Sequence, residues 1–321
     1  MPQGTLDVEE GAEEAFALGG DYEITVTCRR PEGSKSEIIA AAGSMAISEE
    51  MRTILVSREV AGIVPNSKAL APFAGVVEGL TKELNNELRR TLALARWRVG
   101  ASGPHDPLRA TSRHEWSWSF DGEHWHPFPL WHPGLEIRVD APILVWRPDV
   151  KQSLAELLRA GVTEPTAYNL LLEAFEQRTS NPRSSLVIGV AALEIGVKQC
   201  IADLAPSTEW LLAKLQSPPV VSLLCDYLPT LEVKVKIRGG RTLPPPKAIR
   251  RAIHGAVETR NSLVHRSGDA MKDFDLEEAL KAIRDVLFLL EFYQGNDWAW
   301  ARMRYETHAS MLAEAKIPPG G

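Results

Sequence analysis

Residues 247–265 read KAIRRAIHGAVETRNSLVH, and the chain continues Arg266-Ser267-Gly268. The segment reads as a helix, with Gly268 as its stop because glycine tolerates the turn that ends many helices. Other helical segments in this half of the chain are built from leucine, valine and alanine. This one closes on an arginine, an asparagine and a histidine. Asn261 and His265 are four apart and share a face, with Glu258 one turn earlier. Arg260 lies about 140° round the helix from His265. A long side chain at a fraying helix end still converges on the same point.

The neighbouring segments extend the helical reading. SLAELLRAGV and EPTAYNLLLEAFEQ are short helices. NPRSSLVIGVAALEIGVKQCIADLAP is a long one, with Asn181 as N-cap, Pro182 at its first position and Pro206 past its end. SPPVVSLLCDYLP adds a short helix and DLEEALKAIRDVLFLLEFY a final apolar one. This half of the chain is expected to be a helical bundle.

The first half alternates instead. DYEITVTC sets Tyr22, Ile24 and Val26 against polar neighbours, the period of a half-buried strand. MRTILVSREVAGIV and GLEIRVDAPILVW are further strand candidates, and Leu80, Leu84, Leu88, Leu92 and Ala95 mark an amphipathic helix. In EWSWSFDGEHWHPFP, Asp121-Gly122 predicts a two-residue hairpin turn that puts Trp118 opposite Trp125 and Ser117 opposite His126. Trp116, Trp118, Phe120 and Trp125 then form one packing face. The expected fold is an α+β N-terminal domain followed by an all-α C-terminal helical bundle. Its boundaries are an acidic tail over 1–20, the α+β domain over 21–150, connecting helices over 151–180, the bundle over 181–295 and a C-terminal tail over 296–321.

Bulk properties narrow the functional classes. With 44 % hydrophobic and 24 % charged residues among 321, the composition is globular. The formal net charge of -6 argues against a protein that binds nucleic acid over its whole surface. The start of the chain is acidic, without the basic-then-apolar order of a signal peptide, and no run of about 18 apolar residues predicts a membrane span. Three cysteines without CxxC spacing suggest neither a disulfide framework nor a zinc knuckle. A reduced, soluble, cytoplasmic protein is expected.

Charge is distributed unevenly. From Lys234 to Arg266 there are nine basic residues, Lys234, Lys236, Arg238, Arg241, Lys247, Arg250, Arg251, Arg260 and Arg266, against the single acid Glu258. Such a stripe supplies the sequence-independent part of binding to a phosphate backbone.

Arg260-Asn-Ser-Leu-Val-His265, an arginine and a histidine separated by four residues with a polar residue after the arginine, resembles the signature of the HEPN superfamily. The resemblance spans roughly residues 181–294 and includes the AALEIGVK core of the long helix. It implies a HEPN-like bundle that forms a homodimer with motif helices facing each other, and in catalytic members a metal-independent endoribonuclease. Carried onto this chain, His265 acts as general base or acid at the ribose 2′-hydroxyl and the leaving oxygen. Arg260 holds the scissile phosphate, and Asn261 orients His265 or donates to a phosphate oxygen. Lys247, Arg250, Arg251 and Arg266 bind substrate, with Glu194 and Glu258 in support. The products are a 2′,3′-cyclic phosphate and a 5′-hydroxyl, and DNA is not cut. The partners implied are RNA and an antitoxin or trigger protein, as in toxin–antitoxin or anti-phage systems. No cofactor, metal or membrane is implied. A noncatalytic dimerisation and RNA- or protein-binding module with a ligand-sensing N-terminal domain is the alternative.

Glu194 is the one acid in an apolar run. It either faces Arg260 across the bundle or pairs with Lys198 four residues on. His114, His124, His126 and His132 cluster in sequence, but no acid pairs with them at a diagnostic metal-ligand spacing. Cys200 and Cys225 read as small core residues.

Overall fold

A computed structural model describes residues 13–18, 24–29, 40–45, 74–101, 103–107, 117–118, 126–127, 148–214, 219–237, 242–265, 271–272 and 274–316. The chain divides into two compact units. One comprises residues 1–101 and 106–163, the other 102–105 and 164–321.

In the first unit, β1 (Glu13–Leu18), β2 (Ile24–Arg29) and β3 (Ala40–Met45) run antiparallel in sequence order, with Val26 opposite both Phe16 and Gly43. Helix α1 (Ala74–Val99) follows. Its last turns are enclosed on every side: Leu94, Ala95 and Trp97 are buried, and so are Arg96 and Arg98. The Arg98 guanidinium donates to Ser153 Oγ at 2.8 Å, on α2 (Pro148–Arg159), and Arg90 donates to the Leu158 carbonyl at 3.2 Å.

The expected α+β N-terminal domain is corrected. The part of the chain described to its side chains is 77 % helical and contains no strand. Backbone alone is described for the three six-residue strands, and β1 falls within the stretch read as an acidic tail. Short alternation marks a surface that fits a sheet without securing one, because strand preference depends on neighbours. The candidate strands MRTILVSREVAGIV and GLEIRVDAPILVW lie outside the described residues, as do Trp116, Trp125, His114, His124 and His132. The hairpin register is also corrected. β4 (Ser117–Trp118) and β5 (His126–Pro127) pair Ser117 with Pro127 and Trp118 with His126. Trp118 is therefore paired with His126 rather than with Trp125. A one-residue slip exchanges the faces of a strand.

The second unit is a helical bundle. Helix α3 (Thr166–Gln177) buries Tyr168, Leu171 and Leu172. Helix α4 (Pro182–Leu204) starts as its sequence prescribes: Asn181 Oδ1 accepts from Ser184 N at 3.2 Å and Pro182 occupies the first turn. Leu186, Val190, Leu193, Val197 and Ile201 fill the core beneath it, and the buried Ser185 hydroxyl donates to the Ala174 carbonyl at 2.7 Å. Two glycines let α4 lie close to α7 (Leu276–Tyr293). A Cβ on Gly189 would come 2.6 Å from Leu280 Cδ2, and one on Gly196 would collide with Leu287 while standing 3.3 Å from Ala167 Cβ. Among the described residues α4 is the one helix with the length and apolar content to cross a membrane. Its packing against α3, α6 (Lys247–His265) and α7 gives that composition a core role instead.

Between α4 and α6 come the short α5 (Glu209–Lys214) and the helical stretch Val220–Thr230, whose Leu223–Tyr227 segment widens to π geometry. Tyr293, at the end of α7, holds the approach to α6. Its hydroxyl donates to the Leu243 carbonyl at 2.8 Å and accepts from Leu243 N at 3.1 Å, while its carbonyl accepts from Lys234 N at 2.9 Å. The last described elements are a 3-10 helix (Asp297–Arg302) and α8 (Tyr305–Lys316). Asp285 on α7 ties this segment down. Its carboxylate accepts from Arg304 N at 3.0 Å, Arg304 Nε at 2.7 Å and Thr307 Oγ1 at 2.6 Å, and Arg304 reaches Glu278 at 2.7 Å.

Candidate functional site

Helix α6 has two opposed rows. Ile249, Ile253 and Ala256 recur at helical spacing and are buried, Ala256 in a cluster with Leu186, Val190 and Ala279. Arg260 is the next residue on that row, so the sequence aims it at the bundle. There it donates through Nη2 to Glu194 Oε1 of α4 in an ion pair whose side chains are 17 % and 16 % exposed. The pairing selects one of the two readings left open for Glu194. The only other acid of helix α4, Asp203, lies at its far end, and the buried Arg260 Nε has no further hydrogen-bond partner.

The opposite row is Lys247, Arg251, His254, Glu258 and Asn261, all exposed. His254 Nδ1 lies 3.2 Å from Glu258 Oε2, an i,i+4 contact in solvent. His265 is the last described residue of α6 and falls on this row by helical period, four after Asn261. Its side chain, and all of Arg266, lie outside the described residues. The backbone thus places Asn261 and His265 on one face and Arg260 on the face toward α4. Glu258 engages His254 rather than the motif.

Of the cations expected to bind substrate, Lys247 and Arg251 stand on the outward row. Arg250 does not: it is half-buried, its guanidinium meets the Cys225 thiol, and its buried Nε finds no other partner. Burial pushes that thiol up, with Arg250 working the other way. The residue missed by sequence reading is His254. Its spacing from Lys247 and Asn261, seven residues each way, was the available signal.

A second polar cluster closes the far end of α4. Glu291 accepts from Asn296 Nδ2 at 2.8 Å, and Asp203 accepts from Gln294 Nε2 at 2.6 Å. Burial pushes the Glu291 carboxyl up to about 7; the Asn296 amide opposes the shift and the nearby Asp203 charge adds to it. Cys200 beside them is 1 % exposed, with Sγ 3.9 Å from the Leu290 carbonyl, and burial drives its thiol far above the ordinary range. Among the described residues no three His, Cys, Asp or Glu side chains are grouped to hold a metal ion.

Comparisons with models of protein families, with characterised proteins and with solved structures gave no match to this chain.

Proposed function

We propose that the protein is an RNA-directed effector whose helical bundle carries a metal-independent endoribonuclease centre at the end of α6. The observation that supports this reading best is the Arg260–Glu194 ion pair. A half-hidden ion pair is a weak source of stability, because removing two charges from water costs about as much as their attraction returns. Its value here is positional: it holds a guanidinium one turn from the helix end that carries Asn261 and His265. A scissile phosphate arriving there would compete with Glu194 for Arg260 and take up its donors in bidentate fashion. His265 then removes the 2′-hydroxyl proton as that oxygen attacks phosphorus, and a protonated group returns a proton to the departing 5′-oxygen. The ends formed are a 2′,3′-cyclic phosphate and a 5′-hydroxyl. A homodimer pairing two α6 helices would supply the second proton-transfer group. An antitoxin or trigger protein is the regulator this reading calls for.

One observation favours a second reading, a noncatalytic dimerisation and binding module. Arg260 is neutralised by Glu194 on the face away from Asn261, the arrangement of a residue that joins two helices. The deciding experiment is cleavage of labelled RNA in EDTA by wild type and His265→Ala, with DNA of the same sequence as control. Cutting of RNA alone, abolished in the variant, is expected. Equal cutting by both proteins, or none by wild type, overturns the catalytic assignment.

A further inference from the structure

The outward row of α6 has a polarity that the motif does not explain. Its cations, Lys247 and Arg251, are at the N-terminal end, and Asn261 and His265 are at the other. His254 sits between the two ends. With its Nδ1 turned to Glu258, its Nε2 edge is left to face outward. From Lys247 to Asn261 every residue of this row is exposed, and the core-facing row behind it fixes which way the row points. From Lys247 to His265 the row runs about 27 Å along the helix axis.

We infer that single-stranded RNA lies lengthwise along this row, its backbone phosphates on Lys247, Arg251 and His254 and the phosphate to be cut at the Asn261–His265 end. This rests on the RNA-directed reading above and adds to it a substrate class and a path. The length accommodates about four nucleotides, the low end of site sizes for single-strand binders. The row carries no Phe, Tyr or Trp, the usual stacking platforms for bases, so the grip is mainly on the backbone. Glu258 is the acid on the path. It lowers affinity directly and holds the His254 ring, so it is the residue whose removal should strengthen binding.

The test is fluorescence anisotropy of a labelled single-stranded oligoribonucleotide against salt concentration. The proteins are full-length wild type, Lys247→Ala/Arg251→Ala, Glu258→Gln and Lys281→Ala, the last a cation on α7. Every phosphate that a cation neutralises on a single strand steepens the plot of log affinity against log salt by about 0.7. The double variant, with two cations fewer, should therefore have a slope shallower by about 1.4. Glu258→Gln should bind more tightly than wild type, and Lys281→Ala should match wild type. A duplex of the same sequence should bind less well. If wild type binds RNA but the double variant and Glu258→Gln share its affinity and slope, the path is wrong and the RNA reading stands. A duplex bound more tightly than the single strand overturns the substrate class. No binding by wild type even at low salt removes the RNA-directed reading and this path with it.

Discussion

Glu194 on α4 accepts a hydrogen bond from Arg260 on α6, sixty-six residues away in sequence, and so couples the bundle's most apolar helix to the motif helix. Removing one partner strands the other. With both side chains about one-sixth exposed, Glu194→Ala should destabilise the protein by about 2 kcal/mol, less than the roughly 3–5 kcal/mol of a fully buried pair. Glu194→Leu with Arg260→Leu should recover most of that loss, because two apolar side chains replace two charges. Urea denaturation of Glu194→Leu, Arg260→Leu and the double variant measures the coupling.

Asp285 carries the attachment of the C-terminal segment. It is 1 % exposed and receives three donors from Arg304 and Thr307. Asp285→Ala leaves Arg304 facing Glu278 alone and should cost about 3–5 kcal/mol. Thr307→Val removes one hydroxyl donor and should cost about 1 kcal/mol. Hydrogen exchange should show residues 305–316 losing protection first in both variants.

The close approach of α4 and α7 gives a packing prediction. Gly196→Val forces Leu287 aside and presses on Ala167, so overpacking of about 1–3 kcal/mol outweighs the helix propensity gained by replacing glycine. Thermal denaturation should show a lower midpoint. Gly255→Ala, whose added carbon meets only Phe274 at 3.8 Å, should raise it slightly.

Glu291 makes stability fall as pH rises. Its folded carboxyl titrates at about 7, raised by burial from the ordinary carboxylate value. Between the unfolded value, about 4.3, and neutrality the folded protein holds a proton that the unfolded chain has released. Stability contributed by the protonated form is therefore complete below that window and lost as pH climbs through it, by up to roughly 3 kcal/mol. Glu291→Gln keeps an acceptor for Asn296 and removes the titration. Urea midpoints from pH 5 to 8 should fall for wild type and stay flatter for the variant.

The helical half was legible because its signals are local and redundant. Asn181 and Pro182 mark the start of α4, and the apolar period of α7 gives its buried face. Arg260 and His265 were found from their spacing, and the same spacing already put them on different faces. The partner of Arg260 was only half legible: Glu194 had Lys198 within reach on its own helix, and packing of α4 against α6 decided between them. The Asp285–Arg304–Thr307 anchor was not legible at all, since an aspartate in a helical period reads as surface until the chain beyond it folds back. At β4 and β5 the observed pairing sits one residue away from the one that the turn residues prescribe.

Cys200 gives the molecule an internal clock. Its thiol is sealed between α4 and α7, and burial keeps it protonated at neutral pH, so an alkylating reagent meets neither an accessible nor a nucleophilic sulfur. Modification must wait for the two helices to part. The rate at which the peptide carrying Cys200 is alkylated, followed by mass spectrometry without any substitution, therefore reads how often the centre of this bundle opens.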